Sequence, residues 1–219
     1  MITLYHIPLS FNSRRIWVAL IEKDLEFQTV EMKLDGDQLQ PEFLKLNPFH
    51  HIPVIVDDGF RVLESLAILD YLEAKYPETS GLPSDPQLLA AVKMAIMVTV
   101  NELLPAITPL TRQAMGFGES SPEAIAEAKQ KVSVVLNFLG ELLGEKTFFG
   151  DQQITSAEFV AGTVIPWLPI LGVPLTDYPK IEQWIERLKA RESWKLTEPT
   201  QEMIDAFKEK MQKIMAQKK

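Results

Sequence analysis

The feature of this chain that most restricts its fold is the point where its strand signals stop. Short strand and helix patterns alternate over the first 77 residues. After the Pro-, Gly- and Ser-rich stretch at 78–86, only helical periodicity continues. A chain that uses its strands so early can build one small sheet, and the remainder must pack helix on helix. "ITLYHI" and "EFQTVEMK" alternate as strands, and "SRRIWVALIEKD" between them sets Ile16, Trp17, Leu20 and Ile21 on one helical face. That βαβ unit implies a parallel pair. "PEFLKLN" is a short helix opened by Pro41. In "IPVIVDDGFRVLES" two strands flank a turn at Asp57-Asp58-Gly59, an antiparallel hairpin. "SLAILDYLEAKY" follows as a helix with Leu66, Leu69, Tyr71 and Leu72 expected inward.

The predicted architecture is an α/β domain over 1–77 in the order βαβ-α-ββα, a linker at 78–86 and an all-helical domain over 87–219. Its helices are expected at 87–115, 122–143, 155–168, 178–189 and 201–216, with Gly116 and Gly118 separating the first two. In the last, Met203, Ile204, Phe207, Met211, Ile214 and Met215 form a stripe expected to pack on the body, followed by a lysine tail. "ITSAEF" carries its own explanation: Thr155 with Glu158 fits a capping box, and Ile154 with Phe159 a hydrophobic staple.

Composition removes several function classes. The 219 residues suffice for a sizeable core. A net charge of −8 without a basic stripe argues against nucleic-acid binding. No apolar run is expected to reach the roughly 18 residues of a membrane span. The N-terminus lacks a signal peptide's basic start and apolar stretch, so a cytoplasmic protein without membrane partners is expected. There is no cysteine, which excludes disulfides, thiolate metal sites and chemistry on the protein's own thiol. His6, His50 and His51 are too few and too bunched for a metal centre, and no metal is expected.

One stretch, "LYHIPLSFNSRRIWVAL", places Ser10, Asn12 and Ser13 where a strand hands over to a helix. Turn chemistry and capping account for such residues. A hydroxyl held at the positive end of a helix and facing an anion accounts for them equally.

With "PLSFNSRR", "PEFLKLNPFHHIPVI", "LESLAILDYL", "ITSAEF" and "DYPKIEQWIERLKARESWK" in this order, the chain resembles the cytosolic glutathione transferases, of serine type, over essentially its whole length. The resemblance implies a thioredoxin-like N-terminal domain, a helical C-terminal domain and a homodimer. It also implies glutathione as co-substrate and a small hydrophobic electrophile as its partner in conjugation, with detoxification as the role.

The resemblance carries over residue by residue. Ser10 matches the serine that donates to glutathione's sulfur; Tyr5 is the competing hydroxyl, and Ser13 is expected to cap the helix or point elsewhere. Ile52 and Pro53 match a dipeptide in which the proline is cis and the preceding backbone pairs with the cysteinyl unit. His51 holds the position that contacts the glycyl end, and Gln38 a position where several classes carry a polar residue for the same carboxylate. Ser65, at a helix N-terminus, matches the group that holds the γ-glutamyl carboxylate, with Glu64 for the ammonium. The chain departs from the pattern at His50-His51, where the family usually has glycine followed by glutamine or lysine. Because an imidazolium adds charge to a carboxylate contact, this departure predicts that glutathione affinity weakens as His51 loses its proton.

These readings imply a glutathione S-transferase, with reduction of organic hydroperoxides as a second use of the same thiolate. The alternative is a catalytically weak module of this fold that binds glutathione or another protein.

Overall fold

Residues 1–33 and 35–217 are described in the computed structural model of the chain, with side chains through residue 213 and no detail for Leu34. The side chains of Ile214 and Met215, expected in the apolar stripe, and the terminal Lys218 and Lys219 lie outside that description. Strand β1 (Ile2–His6) leads into helix α1 (Phe11–Glu22), which crosses over to β2 (Phe27–Glu31). β1 and β2 are parallel, as a helical crossover requires. A 3₁₀ turn at Asp37–Leu39 and helix α2 (Pro41–Leu46) follow. Then come β3 (Val54–Asp57), β4 (Phe60–Leu63) and helix α3 (Ser65–Lys75). The hairpin turn is Asp58-Gly59, with φ of 48° and 84°. Two successive left-handed residues suit the twist of a two-residue hairpin. The sheet order is β2-β1-β3-β4, with β3 antiparallel to both of its neighbours.

Helix α4 (Pro86–Val98), a π-helical stretch at Thr99–Leu103 and α5 (Leu104–Ala114) form one continuous path. Pro105 has no N–H to give, and the widened turn lies just ahead of it. By length and composition this path could cross a membrane: it is 29 residues long and has a window of mean hydropathy 1.6. The expectation that no such apolar run exists is therefore corrected. A core helix passes the same test, and α4 packs against α6 (Pro122–Leu143) and α7 (Ser156–Val164). The chain continues through a 3₁₀ turn at Ile165–Trp167, α8 (Pro179–Lys189), α9 (Glu192–Thr197) and α10 (Gln201–Gln217). The capping box of α7 is present, and every residue of that helix is buried.

The described chain falls into two units. One comprises Met1–Leu82 together with Arg191–Glu198, and the other Pro83–Ala190 with the residues from Pro199 onward. The first unit thus contains α9, a helix of six residues with no periodic signal in the sequence.

α9 explains why the inward residues of α1 differ from expectation. Ile16 and Leu20 are buried, but so are Val18, Ala19, Arg14 and Arg15, while Trp17 and Ile21 are half-buried. α1 is covered by α3 and by α9, so more than one face is inside. In α3 the core residues are Ile68, Leu69 and Leu72. Leu66 and Tyr71, expected inward, are half-buried. Tyr71 lies at the margin because its hydroxyl needs a partner, and it donates to Asp57 at 3.0 Å.

The start of the stretch at 78–86, through Leu82, belongs to this unit as well. Glu73 accepts from Lys23 Nζ at 2.9 Å, Ser80 Oγ at 2.7 Å and Gly81 N at 3.2 Å. Lys23 also donates to the Thr79 carbonyl.

Candidate functional site

Strand register brings the candidate residues to one end of the sheet. Tyr5, near the C-terminal end of β1, pairs with Val54, the first residue of β3. Val54 in turn pairs with Leu63, the last residue of β4. His6 pairs with Glu31, the last residue of β2. The connections that leave or enter the sheet at this end are the β1–α1 turn with Ser10, the Ile52-Pro53 approach to β3, and Glu64-Ser65 after β4. The segment carrying Gln38 follows β2 at the same end. Beneath them Met32, Phe43 and Val54 form an apolar cluster with Tyr5, Ile7, Leu46, Ile52 and Leu63. Tyr5 is part of that packing, edge-on to Phe43 with ring centroids 6.0 Å apart.

Ser10 is the N-cap of α1. Its Oγ accepts from Ser13 N at 3.4 Å, and its own hydrogen is not committed to any described residue. The cap is thus Ser10 rather than Ser13, contrary to the expected division. Ser13 is fully buried, and its Oγ accepts from Ile7 N at 3.2 Å, closing the turn from inside. Asn12 is exposed. A capping serine that accepts from the helix keeps its O–H free to donate outward, at the positive end of the helix dipole.

The Ile52–Pro53 peptide bond is cis. Ile52 is half-buried and lies just before the ladder of β3. His51 is exposed, its ring edge-on to that of His50, and its carbonyl accepts from Asn47 Nδ2 at 2.8 Å. His50 has φ 51°, in the left-handed region where glycine is unstrained. Histidine is among the residue types that tolerate this region, so the turn survives the replacement.

Gln38 sits in the 3₁₀ turn, where its Oε1 accepts from Gly36 N at 3.3 Å and its amide nitrogen is left to donate. Glu64 is the N-cap residue of α3, exposed, with φ 64° and no side-chain cap bond. Ser65 is the first helical residue and is buried. The opening N–H groups of α3 are therefore without a side-chain cap, a natural anion-binding arrangement.

Two residues escaped the sequence reading. Arg14 is buried and donates to Thr197 Oγ1 and the Trp194 carbonyl, both at 3.3 Å, and to the Glu198 carboxylate. Arg15 is buried too, and its Nη1 donates to Ser65 Oγ at 3.3 Å. Their only signal is a pair of arginines early in an otherwise apolar helix. Among the described residues no group of three or more His, Cys, Asp or Glu is placed to hold a metal ion.

A mixed four-stranded sheet with flanking helices, followed by a helical unit, is the thioredoxin-like-plus-helical architecture. Residues 4–80 match the glutathione S-transferase N-terminal domain family, and residues 93–192 match its C-terminal domain. Glutathione S-transferase D7 of Drosophila melanogaster is 30% identical over 219 residues, covering 98% of this chain and 95% of that protein. A delta-class glutathione transferase of Nilaparvata lugens superposes with a TM-score of 0.82 at 27% identity, over 98% of this chain and 100% of the other. A glutathione S-transferase of Rhodospirillum rubrum F11 does so with a TM-score of 0.79 at 26% identity, over 91% and 93% of the two chains. The chain belongs to the glutathione S-transferase family.

Proposed function

We propose that this chain conjugates glutathione to hydrophobic electrophiles, with Ser10 as the donor that stabilises the thiolate. The observation that carries this reading is the Ser10 hydroxyl. It caps α1, keeps its hydrogen free, and stands at the sheet end shared with Ile52-Pro53 and Ser65. A free thiol has a pKa near ~8.5, and lowering it by two requires about 2.7 kcal/mol in favour of the anion. A hydrogen bond to a charged group supplies roughly 1.5–3 kcal/mol. The helix end adds roughly 0.3–1 kcal/mol. No general base is needed, because Ser10 donates and stays protonated.

In this reading the backbone of Ile52 pairs with the cysteinyl unit as an added strand does. Ser65 and the uncapped N–H groups of α3 hold the γ-glutamyl carboxylate, and Glu64 takes the ammonium. The amide nitrogen of Gln38 and the imidazole of His51 face the glycyl carboxylate. The same thiolate attacks the carbon of an electrophile, expelling its leaving group or opening its activated double bond. Alternatively it attacks the distal oxygen of an organic hydroperoxide, breaking the O–O bond to release the alcohol and leave glutathione sulfenic acid, which a second glutathione converts to the disulfide and water. Homodimeric assembly and a cytoplasmic location belong to the same proposal.

The test is a conjugation assay over a panel of electrophiles, with Ser10→Ala as control. Turnover in the parent and its collapse in Ser10→Ala support the reading. A folded parent that binds glutathione and turns over nothing favours a binding module instead.

A further inference from the structure

Arg15 is an unusual buried cation. It is 1% exposed, and among the described residues no carboxylate pairs with it and both Nε and Nη2 lack any partner. Burial pulls its pKa down to about 10, which leaves it charged at neutral pH. A buried charge without a counter-ion costs stability, and it persists where something else depends on it. Its single hydrogen bond goes from Nη1 to Ser65 Oγ, at the first residue of α3. That helix start has no side-chain cap, so its N–H groups already make the region positive. The two features meet at Ser65: Arg15 donates to its hydroxyl, and Ser65 opens the helix whose first N–H groups have no side-chain cap.

We infer that Arg15 is a positioning residue for glutathione, acting through Ser65 to hold the γ-glutamyl carboxylate. This rests on the assignment of that carboxylate to Ser65. Because Nη1 donates to Ser65 Oγ, the serine oxygen is an acceptor on its inner side, and its own hydrogen turns away from Arg15, toward the ligand. Buried as it is, the guanidinium does not touch the ligand. It supplies orientation and a field, and an arriving carboxylate provides the counter-charge that the fold omits. In the free protein the residue is a liability, and in the complex it is compensated.

The experiment measures the affinity of glutathione and of 4-aminobutanoyl-cysteinylglycine, which lacks the γ-glutamyl α-carboxylate. Parent, Arg15→Met and Arg15→Lys are compared, with melting temperatures of the free proteins and kcat at saturating glutathione. The parent is expected to prefer glutathione by on the order of tenfold or more, the worth of a charge-assisted hydrogen bond. Arg15→Met loses most of that preference through weaker glutathione binding alone, with kcat within about twofold and a free protein that melts no lower than the parent. Arg15→Lys, which keeps the charge, retains part of the preference.

A parent that binds both ligands equally refutes the Ser65 assignment, and the inference falls with it. A parent that discriminates, beside an Arg15→Met that discriminates as well, refutes the role of Arg15 alone. An Arg15→Met protein that weakens both ligands alike, or fails to fold, assigns the guanidinium to packing and overturns the inference.

Discussion

Replacing Ser10 with alanine separates catalysis from folding, because the two roles of this hydroxyl differ in size. As a cap, Oγ accepts from Ser13 N at 3.4 Å, the long end of hydrogen-bond range. Losing it costs about 0.5 kcal/mol of stability, the low end for an N-cap. As a donor to a thiolate it is worth roughly 1.5–3 kcal/mol, so removal raises the pKa of bound glutathione's thiol by about 1–2. At pH 7 the thiolate fraction, about three quarters in the parent, drops to about 24% or about 3%, so the rate of conjugation falls by about 3- to 25-fold, while glutathione affinity changes little. The assay follows the ultraviolet absorbance of the thiolate in the enzyme–glutathione complex across pH, for parent, Ser10→Ala and Ser13→Ala. Ser13 is the control because its Oγ accepts from Ile7 N inside the turn. Its loss leaves a backbone N–H unpaired and costs about 1–3 kcal/mol of stability without removing a donor to sulfur. An unchanged thiol pKa in Ser10→Ala refutes the reasoning, as does an equal rise in Ser13→Ala.

Further outcomes can be checked in solution. His6 is buried against Trp17, and burial pulls its pKa from 6.5 down to about 4. Between those values the unfolded chain takes up the proton first, so stability is full above pH 6.5 and is lost as pH falls toward 4. The loss is about 3 kcal/mol, and urea midpoints across that range should lose this slope in His6→Phe. Lys23→Met leaves the Glu73 carboxylate buried without its cation and should cost about 3–5 kcal/mol, whereas the double variant with Glu73→Leu recovers much of that. Equal unfolding free energies for single and double variants would contradict this. In His51→Gln, the pH dependence of glutathione binding should flatten, and a profile identical to the parent's removes His51 from the glycyl contact.

Much of the first unit was legible because strands announce themselves by a period of two and the hairpin by Asp58-Gly59. The helix of α7 was legible from Thr155 and Glu158 alone. Glu158 also accepts from Phe149 N at 2.8 Å and Trp184 Nε1 at 3.3 Å, partners too distant in sequence for any local pattern to reveal. Burial of its own carboxylate lifts the Glu158 pKa even as the hydrogen bonds oppose the rise. Which of Ser10 and Ser13 caps α1 was not legible, since both suit a helix start and Ser13 was expected there; only the backbone path decides which one faces the N–H groups. The burial of Arg14 and Arg15 was not legible, because periodicity identifies the faces of a helix but not what covers them. The cover of Arg14 is α9, whose six residues are too few to show a period.

That short helix reaches α1 near both of its ends. Arg14 meets Trp194, Thr197 and Glu198, while Glu22 accepts from Arg191 at 2.5 and 2.8 Å and from Ser193. On the ribosome, the helix that carries Ser10 emerges early, but its buried arginine has no cover until residues 191–198 follow. The first unit is begun first and finished nearly last, so a chain stopped after Leu82 holds every proposed glutathione contact and still lacks the brace beneath them.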